Sequence, residues 1–441
     1  MIKTLLTLLS LLLLTSCVPF ADATAPDMRI VVLWHTFTGT EATALHTLTD
    51  HFNQAQQAAQ RDAPRGAKPS RIVLITEYQH DLLGKLTAAQ HTPVPADHMP
   101  DLIIVWPEDL VNYMQLGLTV SQRAWPSELR RRESDLLPMA QALYTVKGEM
   151  QALPLGLATY ALYYNLDWLG DLGYNATYAG WEDLRSIACT VTDPLNRQVG
   201  LGLPAHPSVL LALLTAGGAN ISDPNGNYTF ADEAGLNTAG KLDEILTDGC
   251  AAVYDDQTTG ITDLSTGGLA LIVESSLQRP HIEKSIIEGR NFNLGLSAIP
   301  GPGGPGRTLW YGPGLMLIAP QGEQQRAAGE VLTWFSGPDA QKTWATDTDY
   351  LPIRRSLIKT WRADAIAQST EQHPSPEIQL LTLTLNAADH AQWVAWPRDT
   401  NKIACRAALL RTLLSLGGQP MPEAYIEAAT AACNSGVVNV P

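Results

Sequence analysis

The first part of the chain alternates between short apolar runs and amphipathic stretches. Three runs rich in apolar and β-branched residues predict strands: MRIVVLWH (28–35), RIVLITEY (71–78) and DLIIVW (101–106). Apolar positions recur at helical spacing over about 41–59 and 82–89, and a further helix is predicted near Glu108. Continuous apolar strands separated by helices are typical of a parallel sheet buried on both faces.

After about residue 150 the extended stretches become longer. Further strands are predicted by ALPLGLATYALYYN (152–165), GGLALIVESS (267–276), FNLGLSAIP (292–300) and TLWYGPGLMLIAP (308–320), and mostly helical patterns follow. Residues 301–307, GPGGPGR, form the densest cluster of Gly and Pro, which predicts a linker. We therefore expect an α/β fold with two lobes, in which 301–307 returns the chain from one lobe to the other.

A leucine-rich run precedes the first predicted strand. Lys3 is followed by the run Leu5–Leu14 and small residues, the layout of a secretory signal that is too short to span a bilayer as a helix. Residues 14–17, Leu-Thr-Ser-Cys, resemble the bacterial lipobox, in which the cysteine carries the lipid. We expect a signal peptide at 1–16 and a tether at 17–27 that is lipid-anchored at Cys17. An ordinary signal peptide with an incidental cysteine is the alternative.

Composition and charge narrow the class of protein. Apolar residues make up 45% of the chain and charged residues 17%, which is typical of a globular protein and not of a disordered one. The net charge is −15, and the one cationic run, 130–132, lies between acidic residues. Nucleic acid is therefore not expected as a partner.

The remaining cysteines are Cys189, Cys250, Cys405 and Cys433. An even number in an exported chain predicts disulfides, and the sequence alone leaves their pairing open. Pairing by region favours Cys189 with Cys250 and Cys405 with Cys433. The chain has no Cys-x-x-Cys motif, and its histidines are scattered, so no metal or other cofactor is expected.

Seven segments taken together resemble extracellular solute-binding proteins of family 1, the substrate-capturing lipoproteins of ABC importers. In order they are VVLWHTFTG (31–39), DLIIVW (101–106), ALPLGLATYALYYNLDWL (152–169), GGLALIVESS (267–276), GLSAIPGPGG (295–304), LWYGPGLMLIAP (309–320) and EVLTWFSGPDAQKTWATDTDYLPIRRS (330–356). Within the family, the pattern is most similar to the branch that binds glycerol-3-phosphate and sugars.

The resemblance implies a clamshell of the periplasmic-binding-protein type (type II), with three crossings between its lobes. By analogy the crossings fall near 144–147, 298–306 and 347–352. One lobe would contain 28–145 plus 307–347, and the other 146–306 plus 348–441. The solute would bind in the cleft, and lobe closure would present it to the membrane subunits of an ABC permease. The protein would then be extracytoplasmic and would contact the membrane only through its lipid.

The resemblance places three first-lobe segments in the cleft. The loop that contains Trp34, His35 and Gly39 follows a strand and begins a helix, so its amides are candidates for binding solute oxygens. Packing of Trp34 and capping of the helix are the alternative. Tyr78 ends the second strand, and Glu108 follows the third; its carboxylate would accept hydrogen bonds from solute hydroxyls.

The other candidate residues lie in the second half of the chain. Ser275 and Ser276 end a strand, where related proteins place hydroxyl donors, and Trp310, Tyr311 and Gly312 match an aromatic–glycine segment on the cleft floor. An aromatic face there would stack on a sugar ring, although core packing is the alternative. Two further candidates are Tyr350, which matches a ligand-contacting tyrosine in similar proteins, and Arg398, a possible anion ligand.

One departure from the similar proteins bears on the solute. Binders of glycerol phosphates carry serines where this chain has Leu157 and Ala158. A neutral mono- or oligosaccharide is therefore favoured over glycerol-3-phosphate or its diesters. We expect a binding protein and not an enzyme. The alternatives are a surface carbohydrate-active enzyme that uses Glu108 with a second acid, and a sensory lipoprotein with the same fold.

Overall fold

A computed structural model of the chain describes residues 28–64, 71–91, 99–174, 180–223, 226–318, 321–369, 373–391, 393–395, 402–418 and 421–435. The predicted signal peptide, Cys17 and Arg398 lie outside these residues. Among the described residues, no helix is long and apolar enough to cross a membrane.

The strands, in chain order, are β1 (Met28–His35), β2 (Arg71–Tyr78), β3 (Leu102–Val105), β4 (Thr145–Val146), β5 (Glu149–Met150), β6 (Leu153–Pro154), β7 (Ala158–Asn165), β8 (Val199–Pro204), β9 (Ala251–Tyr254), β10 (Leu269–Ser275), β11 (Leu294–Ser297), β12 (Pro300–Gly301), β13 (Gly304–Pro305), β14 (Thr308–Tyr311), β15 (Gly314–Leu317) and β16 (Trp393–Ala395).

The helices, in chain order, are α1 (Gly39–Arg61), α2 (Leu82–His91), α3 (Leu110–Gln115), α4 (Ser127–Arg131), α5 (Pro138–Tyr144), α6 (Leu166–Asp171), α7 (Trp181–Val191), α8 (Pro207–Ala216), α9 (Glu233–Thr247), α10 (Gln257–Thr266), α11 (Arg279–Glu288), α12 (Glu323–Phe335), α13 (Pro338–Thr348), α14 (Arg355–Gln368), α15 (Pro376–Asp389), α16 (Lys402–Ser415) and α17 (Pro422–Asn434).

The first sheet has the strand order β2-β1-β3-β15-β6. Strands β2, β1 and β3 are parallel, as the apolar runs predicted, and β15 joins β3 antiparallel. Helix α1 covers this sheet with a stripe formed by Leu45, Leu48 and Phe52, all about 1% exposed or less. These residues recur every three or four positions, so they lie on one face of the helix.

The second sheet has the order β16-β14-β7-β10-β8-β9, and β11 also pairs with β7. Its central strands, β7 and β10, are buried along their whole length. Alternate residues of β10 enter different hydrophobic clusters: Ile272 packs on one face of the sheet and Leu271 on the other. Helices therefore cover both faces, which is why these strands are apolar throughout.

The Gly- and Pro-rich segment 301–307 differs from its prediction as a linker. It lies in a tight hairpin, β12–β13, between β11 and β14, and both of these flanking strands pair with β7. The chain therefore leaves the second sheet and returns to it. The prediction that the chain turns at 301–307 is confirmed, but the Gly and Pro content of a turn does not determine which sheet the next strand joins.

The chain crosses between the sheets where β6 leads to β7, where β14 leads to β15, and after α13. The three segments are hydrogen-bonded to each other: Leu155 N–H donates to Pro313 O at 2.8 Å, and Leu157 exchanges backbone hydrogen bonds of 2.9 and 2.8 Å with Leu351. We propose that these segments, 155–157, 312–313 and 349–352, are the hinge, in place of the expected crossings near 144–147 and 298–306.

Two disulfides stabilise the half of the molecule built around the second sheet. Cys189, in α7, bonds to Cys250 at the start of β9, and Cys405 joins α16 to Cys433 in α17. This is the pairing that the sequence analysis preferred. Each bridge closes a loop within one half, so neither restrains movement about the proposed hinge.

Candidate functional site

The two sheets face each other through the ends of their parallel strands. β7 begins, and β8, β10 and β14 end, at one edge of the second sheet. That edge is joined by the crossings to the edge of the first sheet where β1, β2 and β3 end. The strand ends of the two α/β units therefore face each other across a cleft. In open α/β sheets, ligands usually bind at the carboxyl ends of the strands.

An ion pair connects the two sides of this cleft. Glu108, in a turn of 3₁₀ helix after β3, accepts a hydrogen bond from Arg406 of α16 at 3.1 Å. The Glu108 side chain is only 12% exposed, whereas that of Arg406 is 50% exposed. The pair brings a carboxylate and a guanidinium into the cleft, where both have the geometry to hydrogen-bond hydroxyl groups.

Four residues of the second sheet, which we call the tyrosine cluster, lie at its cleft edge: Tyr160, His206, Ser275 and Tyr311. The rings of Tyr160 and Tyr311 have centroids 5.9 Å apart, and the Tyr311 hydroxyl is 2.5 Å from Ser275 Oγ. Burial raises the pKa of both tyrosines well above the usual range; the nearby Tyr311 adds to the shift at Tyr160, and the nearby Glu274 adds to the shift at Tyr311. Both phenols are therefore neutral donors at physiological pH.

His206 joins the cluster from the N-terminus of α8. Its Nδ1 accepts a hydrogen bond from Ser208 N–H at 3.3 Å and lies 3.4 Å from the Tyr160 hydroxyl. Burial and the nearby Arg406 lower the pKa of His206 from its ordinary 6.5. The ring is then neutral with its proton on Nε2, which is a hydrogen-bond donor.

Because the folded pKa of His206 is depressed, its contribution to stability is present above pH 6.5 and is lost as the pH falls through the lowered value. We expect the stability difference between the wild type and His206→Gln to shrink as the pH falls from roughly 7.5 to 5. Urea unfolding of both proteins across this range measures it. A pH-independent difference would show that the ring does not titrate in this way.

Glu274 lies beside the cluster but has an internal role. Its carboxylate is fully buried and accepts hydrogen bonds from Gln257 Nε2 at 2.8 Å and from Ser275 N–H at 2.9 Å. Burial raises the pKa of Glu274 to about 7. The side chain orients Ser275 by holding its amide, and so supports the cluster from within the second sheet.

The first-lobe candidates surround the ends of β1 and β2. Trp34 is partly buried; its Nε1 donates to Glu77 at 2.9 Å, and Lys85 lies 5.9 Å from the centre of its ring. His35 is buried with its ring 6.1 Å from the half-exposed Tyr78, and its Nδ1 forms no hydrogen bond within the described residues. Gly39 begins α1 at φ +56°, a conformation that favours glycine.

Three of the remaining candidates serve the structure. Ser276 is fully buried and accepts a hydrogen bond from Thr159 N–H at 3.1 Å. Trp310 is also fully buried, with its Nε1 bonded to Thr308, so it cannot stack on a solute as the sequence suggested. Because residues alternate along a strand, its neighbour Tyr311 carries the aromatic face toward the cleft. Gly312 is part of the proposed hinge.

Tyr350 lies in the third crossing and is 2% exposed. Its ring stacks on Trp344 with centroids 6.0 Å apart and an interplanar angle of 20°. Burial raises its pKa well above the usual range, with Tyr311, Glu41 and Glu108 close enough to add to the effect. Tyr350 is therefore packed inside the third crossing, close to both Tyr311 and Glu108.

The sequence analysis missed Tyr160, His206 and Arg406. Tyr160 lies in an almost wholly apolar strand, so it reads as a core residue. Its position at the cleft end of that strand is the feature that could have identified it as a site residue. His206 stands between the end of a predicted strand and Pro207, a typical helix start. Arg406 has the spacing of an ordinary solvent-facing helix residue.

Within the described residues, the one group of three metal-ligand side chains contains the bonded sulfurs of Cys189 and Cys250, so it offers no thiolate.

Sequence comparison decides the family. The profile of the bacterial extracellular solute-binding proteins matches residues 52–371. The chain belongs to this family. The resemblance found in the sequence is thereby confirmed, and no curated protein sequence matches the chain.

Solved structures share the two-lobe fold of this solute-binding protein. The cyclic α-maltosyl-1,6-maltose binding protein of Arthrobacter globiformis is 17% identical, with a TM-score of 0.71, and the match covers 93% of this chain and 99% of that one. The sugar-binding protein MalE of Xanthomonas citri is also 17% identical, with a TM-score of 0.71 and coverage of 92% and 96%. UgpB of Mycobacterium tuberculosis, in complex with glycerophosphocholine, is 16% identical, with a TM-score of 0.65 and coverage of 92% and 96%.

Proposed function

We propose that this solute-binding protein captures a neutral mono- or oligosaccharide for an ABC importer, and that the solute binds between the tyrosine cluster and Glu108. The observation that supports this most is the pair of neutral tyrosine rings, Tyr160 and Tyr311, beside the Ser275 hydroxyl and opposite a carboxylate–guanidinium pair. A sugar ring has apolar C–H faces, which aromatic rings bind. It also has a rim of hydroxyls, which carboxylates and guanidinium groups bind by hydrogen bonds.

The charges at the site favour a neutral solute over a phosphate. Arg406 is the cation that the described residues bring to the tyrosine cluster, and it is paired with Glu108. A phosphate would have to compete with that carboxylate for the same guanidinium. Leu157, which stands where similar phosphate binders carry a serine, is fully buried in the proposed hinge. A glycerophosphodiester remains the second candidate because UgpB, bound to glycerophosphocholine, shares the fold.

The remaining parts of the proposal concern how the protein works. Lobe closure about the hinge would bury the sugar, and the closed form would dock on the permease. Cys17 would hold the protein at the outer face of the membrane through its lipid. We propose binding without catalysis, because Glu274, the acid nearest the cluster, is hydrogen-bonded inside its own lobe and is not free to act with Glu108 as a hydrolytic pair.

A melting-temperature screen tests the solute class. The panel contains mono-, di- and trisaccharides, glycerol-3-phosphate and glycerophosphocholine. A ligand at a thousand times its Kd adds about 4 kcal/mol to the stability of the folded state, which raises the Tm by several degrees. We expect a shift with one class of neutral sugar. A shift with the phosphates alone would contradict the proposed class.

The ion pair gives a second prediction. Because Arg406 is half exposed, we expect Arg406→Gln to change the free energy of unfolding by less than about 1 kcal/mol. The same change removes a charged donor from the cleft, so we expect the affinity for the sugar to fall about tenfold. Calorimetric titration measures the affinity, and Arg411→Gln, on the same helix, is the control. An unchanged affinity would place the sugar away from Arg406.

A further inference from the structure

A cavity of about 660 Å³ lies in the second lobe, away from the cleft. It is open to solvent and is bounded by α14 and α15 on one side and by β11, β13 and the start of β14 on the other; it shares no residue with the tyrosine cluster or Glu108. Its volume falls within the range typical of small-molecule sites. The solute-binding role proposed above does not use it.

The charge around this cavity is unusual for so acidic a protein. The whole chain has 44 acidic and 29 basic residues, yet the described residues that line the cavity include Arg362 and His373 and no Asp or Glu. Arg362 is the one fixed positive charge among these lining residues, and no carboxylate among them opposes it, so the pocket favours an anion over a cation.

Arg362 is held in place for such a role. Its Nε donates to Thr382 Oγ1 of α15 at 2.7 Å, which fixes the guanidinium across the gap between the two helices. The two terminal nitrogens form no hydrogen bond with any described residue. A guanidinium presents such a pair of N–H groups to the two oxygens of a carboxylate.

The rest of the wall is mainly apolar. Ile366, one turn after Arg362, lies at the rim and is 46% exposed, whereas Ile378 and Leu383 of α15 line the interior. An exposed isoleucine at the mouth of a cavity offers apolar surface to a ligand. The ligand would therefore combine an anionic head with an apolar body.

From this arrangement we propose that the second lobe carries a second binding site, for an amphipathic monocarboxylate. The carboxylate pairs with the terminal nitrogens of Arg362, and the apolar chain packs over Ile366, Ile378 and Leu383. One fixed arginine matches a single negative charge, and a phosphate dianion would require a second.

Calorimetric titration of the purified full chain with octanoate tests the site. We expect saturable binding of one octanoate per chain, and affinity for 1-octanol, which has the same tail without the charge, at least about tenfold weaker. Octanoate that does not saturate, or that binds no better than 1-octanol, would overturn the proposal.

Matched variants locate the site. Arg362→Gln should weaken octanoate binding about tenfold or more, whereas Lys359→Gln removes the same charge from an exposed position on the same helix and should have little effect. Ile366→Trp fills the mouth of the cavity and should also weaken binding, which provides a second answer if Arg362→Gln does not fold. Equal binding by Arg362→Gln or Ile366→Trp and by the wild type would place octanoate elsewhere. The affinity for sugar is measured separately, so the octanoate result does not depend on whether the cleft binds a sugar.

Discussion

Replacing Tyr311 by alanine is expected to lower the affinity for the sugar about a hundredfold. The substitution removes one of the two rings of the tyrosine cluster and leaves Tyr160 without its neighbour 5.9 Å away. It also removes the hydroxyl that lies 2.5 Å from Ser275 Oγ. An aromatic anchor at the centre of a site contributes more to binding than the polar contacts around it. Calorimetric titration with the sugar identified by the melting screen measures the loss.

A matched pair of conservative changes separates the ring from the hydroxyl. Tyr311→Phe keeps the ring and loses the hydroxyl that contacts Ser275, so we expect the affinity to fall about tenfold. Tyr174→Phe also loses one phenol–hydroxyl contact, with Thr190 at 3.3 Å, but far from the cleft, and should bind normally. If Tyr311→Ala folds and binds as the wild type does, the tyrosine cluster is not the sugar site.

Replacing Gly312 by alanine is expected to reduce the free energy of unfolding by about 3 kcal/mol or more. A Cβ at this position would lie 2.1 Å from Gly156 O, which is a backbone atom of the first crossing and cannot rotate away. The crossings are also held by the Tyr144 hydroxyl, which donates to Gly312 O at 2.7 Å. The segment therefore has no room to yield without breaking hydrogen bonds of the hinge.

Gly303→Ala is the control for this substitution. Gly303 lies in the β12–β13 hairpin, and a Cβ there would meet no atom within 4 Å. Urea unfolding of both variants should show a large loss for Gly312→Ala and almost none for Gly303→Ala. Similar stabilities would mean that the first and second crossings are not in contact as described.

The elements of the first sheet could be predicted because their signals are local. Residues 28–35 and 71–78 are continuous apolar and β-branched runs, and the strands have these bounds. The path of the chain between the sheets could not be predicted in this way. The Gly and Pro residues of 301–307 show that the chain turns, but the sheet joined by Thr308–Tyr311 depends on pairing with β7, more than a hundred residues earlier.

The candidate site was predictable where a residue ends a strand. Ser275, Tyr311 and Glu108 all follow or end apolar runs, and the structure brings them to the same cleft. Trp310 was misread because only the pairing of β14 decides which of two adjacent aromatic residues is buried. Arg406 comes from a helix some 300 residues beyond Glu108, and no local pattern connects the two.

The most direct test of the central claim is hydrogen–deuterium exchange with and without the sugar that gives the largest melting shift. The account predicts that protection increases at the cleft ends of the strands and at the hinge, in peptides that contain residues 107–109, 158–160, 274–276 and 311–313. Closure of the lobes buries these backbone amides and slows their local opening. Protection confined to other parts of the chain would contradict the proposed site. If no sugar alters exchange in these peptides, the proposal that the cleft binds a carbohydrate is wrong.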